Sequence, residues 1–191
     1  MPIELLNNWL QEECIAGASE PQQAVLSTST RDAVPHARVV AIREISAEGL
    51  LFFTQRDSRK VGELTSNPVA AITFWFELLQ REVIIEGTVV PLTDNDNALY
   101  WQTYPREAQI RFCSYAPTSS KRIASKQLLE NKRQQIELDY SGLPIPFNEL
   151  YCGFRVKPAR FVFYAYRTDE LSDVIEYSCV DGQWVQHLLS P

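Results

Sequence analysis

Histidine is scarce in this chain, with only His36 and His187 among 191 residues. A histidine-rich metal centre or a Ser-His-Asp hydrolase site therefore has little material. The four cysteines (Cys14, Cys113, Cys152 and Cys179) stand far apart, without CxxC or Cys/His ligand spacing. Free thiols in a reducing compartment are expected, not a disulfide framework or a zinc site. No stretch approaches the ~20 consecutive apolar residues of a membrane span. The N-terminus MPIELLNNWLQEECIAG has neither the basic start nor the apolar run of a signal peptide. A net charge of −6 argues against a general nucleic-acid binder, which carries a basic footprint. The motifs GxGxxG, Walker A, HExxH and GxSxG are all missing. A Rossmann dehydrogenase, a P-loop NTPase, a zincin and an α/β-hydrolase lose their support with them. A cytoplasmic protein without membrane, nucleic-acid or metal partners is the expectation.

What is present is apolar patterning. Apolar residues make up 45% of the chain, enough to build a real core, so disorder is excluded. We read residues 1–191 as one domain, with an N-terminal helix inside 1–20 and a helical insertion over 94–140. Leu5, Leu6, Trp9, Leu10 and Cys14 share one helical face. QAVLSTST, HARVVAIREI and LLFFTQ read as three strands joined by short turns, the pattern of an antiparallel meander. A short helix over Ser58–Ser66 stops at Asn67-Pro68. VAAITFWFELL and REVIIEGTVVPL follow as β-branched and aromatic strands. Asp94 is the expected N-cap of a helix ended by Pro105, and Ser119 or Ser120 that of a longer polar helix. FRVKPARFVFYAYR, DVIEYSC and QWVQHLL return to strands. Strands that do not alternate with helices predict a mainly β antiparallel barrel with peripheral helices. Phe74, Trp75 and Phe76 read as core and interface aromatics, and His36 as incidental.

The stretch FFTQRDSRK carries the chemistry. Ser58, Arg59 and Lys60 stand where a strand gives way to a helix, and the helix macrodipole disfavours cations there. Amides, a hydroxyl and two cations at one helix start suit an incoming phosphate. Arg38 and Arg43 bracket VVAI on one strand, at a separation that sends them to opposite faces.

The blocks ARVVAIREISAEGLLFFTQRDSRKVGELTSNPVAAITFWF, REVIIEGTVVPLTDNDNALYWQTYPREAQI and YCGFRVKPARFVFY…LSDVIEY…W…LLSP follow one known order. In these the chain resembles the pyridoxamine 5′-phosphate oxidase family of flavoproteins, from about residue 22 to the end. The resemblance implies an FMN-binding split β-barrel and a homodimer with FMN at the subunit interface. It places Arg38, Val39, Val40, Arg43, Phe53, Thr54, Ser58, Arg59, Lys60, Glu82, Thr118, Ser119 and Tyr164 around the cofactor. Among these, Arg38, Arg59 and Lys60 surround the phosphate. Arg43 and Tyr100 match substrate-binding positions.

Other family positions have changed. Tyr104 and Ala108 stand where the family grips the substrate phosphate with arginine and serine. Glu170 and Ser172 replace the arginine and histidine of an Arg-Leu-His triplet, and Val174 a further arginine. Charge-assisted hydrogen bonds contribute roughly 1.5–3 kcal/mol each, so two losses weaken phosphate binding by about two to four orders of magnitude. The expected activity is an FMN-dependent oxidation of an altered substrate. One alternative is a pyridoxamine-phosphate oxidase with a pocket rebuilt from Arg111, Arg167 or Lys121. Another is a non-catalytic FMN or haem binder. No catalytic base is identified; Glu82, Glu170 and Tyr100 are candidates by position only.

Overall fold

A computed structural model describes residues 1–191. Strands β1 (Gln23–Ser29), β2 (Pro35–Ser46) and β3 (Gly49–Gln55) come first, then helix α2 (Arg59–Ser66), after an N-terminal helix α1 (Pro2–Ile15). Next are β4 (Val69–Phe76), β5 (Arg81–Pro91) and three helices, α3 (Asp94–Gln102), α4 (Arg106–Tyr115) and α5 (Lys126–Asp139). Strands β6 (Tyr151–Ala165), β7 (Asp173–Val180) and β8 (Gln183–Leu189) close the chain. The sheet runs β3-β2-β1-β4-β5-β6-β7-β8, and a β3–β6 pairing closes its first six strands into a barrel. Every helix is too short or too polar to cross a membrane.

The chain divides into two compact units. The first contains Met1–Phe53, Glu63–Val90 and Phe154–Pro191. Its strands alternate as a barrel wall requires. Ala24, Leu26 and Thr28 of β1 are buried, as are Ala70, Ile72, Phe74 and Phe76 of β4. Their neighbours Val25, Val39, Val69 and Trp75 remain exposed on the outer face. Leu6 and Leu10 anchor α1, Trp9 meets Phe163 edge-on, and Arg81 lies 4.7 Å over the Trp9 ring. The buried Glu13 carboxylate accepts the Leu78 and Leu79 amides at the β4–β5 turn. Gly49 turns β2 into β3 at φ +126°, and a Cβ there would lie 2.1 Å from the Val156 carbonyl oxygen. No side chain fits that approach.

The second unit contains Thr54–Gly62 and Pro91–Gly153. Trp101 is its centre: buried, donating Nε1–H to the Ile145 carbonyl and ringed by Tyr104, Phe112, Phe147 and Tyr151. The helix boundaries differ from the sequence expectation for local reasons. Thr93, not Asp94, caps α3 by accepting the Asp96 amide, while Asp94 binds Arg56 at 2.6 Å. Pro105 ends one helix and starts α4, since proline lacks only an amide that a first turn leaves over. Helix α5 begins after Ser125 instead of at Ser119 or Ser120, because Ser120 is left-handed at φ +60°. The free cysteines number four.

Candidate functional site

In the first unit Arg38 lies on the inward face of β2, opposite Leu26. Its Nη1 donates to the Thr28 hydroxyl at 2.6 Å and to the Leu26 carbonyl at 3.2 Å. Its Nη2 donates to Glu63 Oε2 at 3.3 Å. Thr28 donates in turn to Glu63 at 2.5 Å, and His36 Nδ1 stands 2.7 Å from the other carboxylate oxygen. Burial pushes the Glu63 carboxyl up, but the Thr28 hydrogen bond, His36 and Arg38 together hold it below its ordinary value. Arg38 is therefore a restrained cation with its own counter-ion. The sequence missed both Glu63 and His36, which lie 25 and 2 residues from Arg38.

Arg43 interrupts the β2–β3 pairing, whose register shifts between Ile42 and Glu44. Arg38 is half-buried on the inward face and Arg43 is exposed directly after the buried Ile42, so the two leave opposite faces as their separation predicts. Val39 is exposed and Val40 half-buried, paired to Val25 and Ala24. Phe53 is half-buried. Glu82 pairs across to Trp75. Tyr164 lies against Tyr166, tilted by 33° with ring centroids 4.3 Å apart, and Tyr166 meets Trp75 edge-on at 5.5 Å. Arg167 bonds Glu170 at 2.6 Å and Asp173 at 3.0 Å, and its amide donates to the Ser172 hydroxyl. Glu170 and Ser172 thus stitch a β6–β7 turn around one arginine.

In the second unit Lys60 Nζ donates to the Thr54 hydroxyl at 2.8 Å and reaches Ser58 Oγ at 3.4 Å. Thr54 and Ser58 hydroxyls are 3.5 Å apart. Ser58 is buried, and its carbonyl accepts the Val61 and Gly62 amides to open α2. Arg59 is exposed. Gln55, overlooked in the sequence, is buried and accepts the Ser119 amide through Oε1, while its Nε2 finds no protein partner. Thr118 spends its hydroxyl on the Tyr115 carbonyl. Cys152 Sγ lies 3.5 Å from the Thr54 carbonyl; burial pushes its thiol up to about 11, against the lowering influence of Arg56 and Lys60. Tyr104 packs on Trp101 and Tyr151, Ala108 is buried, and Tyr100 is half-buried on α3. This unit therefore brings together Thr54, Ser58 and Lys60, a set rich in donors.

Residues 10–138 match the family model for pyridoxamine 5′-phosphate oxidase. Residues 151–191 match that for the pyridoxine 5′-phosphate oxidase C-terminal dimerisation region. A pyridoxine/pyridoxamine 5′-phosphate oxidase of Trichormus variabilis is 34% identical over 191 residues, covering 100% of this chain and 88% of that protein. The enzyme of the same name from Acaryochloris marina is 33% identical over 190 residues, covering 100% and 86%. Among solved structures, PhzG from Burkholderia lata in complex with tetrahydrophenazine-1-carboxylic acid superposes with a TM-score of 0.90 at 27% identity, covering 100% of this chain and 92% of that one. A pyridoxamine 5′-phosphate oxidase-related, FMN-binding protein from Nostoc punctiforme shares the fold with a TM-score of 0.77 at 16% identity, covering 98% and 96%. The chain belongs to the pyridoxamine 5′-phosphate oxidase family, and its barrel is the split barrel of that family.

Proposed function

We propose that the protein is a homodimeric, FMN-dependent oxidoreductase whose substrate is not pyridoxamine 5′-phosphate. The observation that carries the cofactor reading is the cluster of Thr54, Ser58 and Lys60. An ammonium and two hydroxyls form a donor set, and a phosphate monoester is made of acceptors. Lys60, Ser58 and Arg59 would hold the FMN phosphate, with Arg38 as a further cation. Val39, Val40, Phe53, Thr54, Thr118 and Ser119 would line the flavin, and Tyr164 would offer an aromatic wall. Glu82 would accept from the flavin N3–H. When bound, FMN supplies the redox chemistry, taking two electrons from the substrate and passing them to an acceptor. The chain's own residues bind, orient and exclude water.

The substrate reading rests on what occupies the changed positions. Tyr104 is packed among aromatic rings, and Ala108 is buried and apolar. Arg167, a candidate replacement cation, is already neutralised by Glu170 and Asp173. We infer a ring substrate without a phosphate. The bound ligand of the Burkholderia lata relative, a partly reduced tricyclic carboxylic acid, is of this class. Arg43 and Tyr100 are the residues we assign to it. For the dimer, the exposed Val25, Val39, Val69 and Trp75 on the outer barrel face support an apolar contact between copies.

An absorbance spectrum of the purified protein after FMN loading tests the cofactor. Aerobic turnover of pyridoxamine 5′-phosphate and of tetrahydrophenazine-1-carboxylic acid then tests the substrate. Activity confined to the second compound is expected. A kcat/KM for pyridoxamine 5′-phosphate at or above ~10⁴ M⁻¹s⁻¹, the low end for ordinary enzymes, would sink the altered-substrate reading.

A further inference from the structure

Residues 116–120 form a loop after α4, and three bonds that involve side chains hold it in place. Lys132 Nζ donates to the Ala116 carbonyl at 2.7 Å, and the Thr118 hydroxyl donates to the Tyr115 carbonyl at 2.7 Å. The third bond comes from far along the chain: the Ser119 amide donates to Gln55 Oε1 at 3.0 Å. Only an oxygen receives an N–H, so this bond fixes which way the Gln55 amide faces. Gln55 is the last residue of β3 and is 2% exposed. Its neighbour Thr54 receives Lys60. Consecutive strand side chains leave opposite faces, so the end of β3 holds Lys60 on one side and the loop on the other.

For packing alone, glutamine is a poor choice there. The Gln55 Nε2 is buried without a hydrogen-bond partner. An unpaired buried donor gives up its hydration for nothing, and methionine fills a similar volume without that loss. What the Gln55 amide contributes is the bond to Ser119. The loop also separates its two hydroxyls. Thr118 uses its own on Tyr115, whereas the hydroxyl of half-buried Ser119 makes no hydrogen bond within the chain.

We propose that Gln55 is a positioning residue for the cofactor. It seats residues 116–120 at the end of β3 and leaves the Ser119 hydroxyl, not that of Thr118, to meet FMN. This rests on the reading that FMN lies against the end of β3.

FMN titration and urea unfolding of the full-length protein test it. Gln55→Met keeps the volume and removes the acceptor, so binding should weaken about threefold to tenfold while stability holds or rises. Gln55→Glu keeps an acceptor oxygen in either protonation state and should restore most of the affinity. Ser119→Ala should weaken binding about as much as Gln55→Met does. Both act through one hydroxyl, so the double variant should lose no more than either single one. Additive losses overturn the positioning role, and so does a Gln55→Met protein that is markedly less stable. Wild-type affinity in both single variants overturns the assignment while leaving the cofactor reading intact. Amide hydrogen exchange in the FMN-free protein tests the clamp by itself. Ser119 should be protected in the wild type and exchange much faster in Gln55→Met. An unprotected Ser119 overturns the clamp whatever FMN does. Absence of FMN binding by the wild type overturns the cofactor reading and, with it, the role of Ser119.

Discussion

Arg38 and Lys60 are both cations expected to meet the same anion, yet they are held in opposite ways. Arg38 is gripped by a carboxylate, a hydroxyl and a carbonyl on the inner face of a barrel strand. Lys60 rests on two neutral hydroxyls at the start of a helix. A carboxylate partner fixes geometry and offsets charge, whereas a hydroxyl fixes geometry and brings no countercharge of its own. The difference separates a cation held by a carboxylate from one held through hydroxyls at a helix start.

The largest effect should come from the second kind. Replacing Arg59 and Lys60 together by alanine should weaken FMN binding by about two orders of magnitude or more, with an unchanged circular-dichroism spectrum. Fluorescence titration of the flavin measures it. Wild-type affinity in the double variant would place the phosphate elsewhere and remove the contrast drawn above.

Glu63 should behave in the reverse manner. Glu63→Ala leaves Arg38 without its counter-ion in a largely buried place, and we expect a loss of about 3 kcal/mol of folding stability. Urea unfolding reads this directly. A second alanine at Arg38 should return part of the loss, since the uncompensated charge goes with it. No recovery in the double variant would mean that packing, not charge, sets the cost.

The pH dependence of stability sharpens the same point. Glu63 has a folded-state carboxyl held below its ordinary value. Its contribution is therefore present above the unfolded value and lost as the pH falls through the folded one. The urea midpoint should drop below about pH 4.5 in the wild type and drop less steeply in Glu63→Gln. Equal acid limbs would show that other carboxylates carry the transition.

The smallest effect concerns Cys152 as a reporter of the field of Lys60. Its thiol, pushed up to about 11, should alkylate at pH 8 far more slowly than the exposed Cys14 and Cys179. Lys60→Ala removes one of the influences that lower it and should slow Cys152 further, by about twofold. Mass spectrometry of iodoacetamide-treated protein resolves the sites. A faster reaction in the variant would mean that Lys60 shields the thiol sterically and exerts little field there.

Much of this molecule is written locally. Alternating apolar residues in QAVLSTS and VAAITFWF are enough to form strands and choose their buried face, because side chains two residues apart share a side. Ser58 and Lys60 lie close to Thr54 in the chain, so their cluster is legible from FFTQRDSRK alone. The family resemblance, too, is carried by the order of such blocks. Other features needed the folded chain. The bulge beside Arg43 depends on how β2 meets β3, which counting along one strand does not reveal. Pro105 ends one helix and begins another only because the chain turns there. Glu170 and Ser172 look like lost ligands until Arg167 is seen to hold both. Glu63 reads as an ordinary helix residue until packing sets it against Thr28, 35 residues away, and His36 beside Pro35 as a turn residue. Periodicity and turn chemistry act between neighbours in sequence, so the sequence alone determines them. The partner of a buried charge is chosen by which elements close around it, and only the tertiary structure decides that.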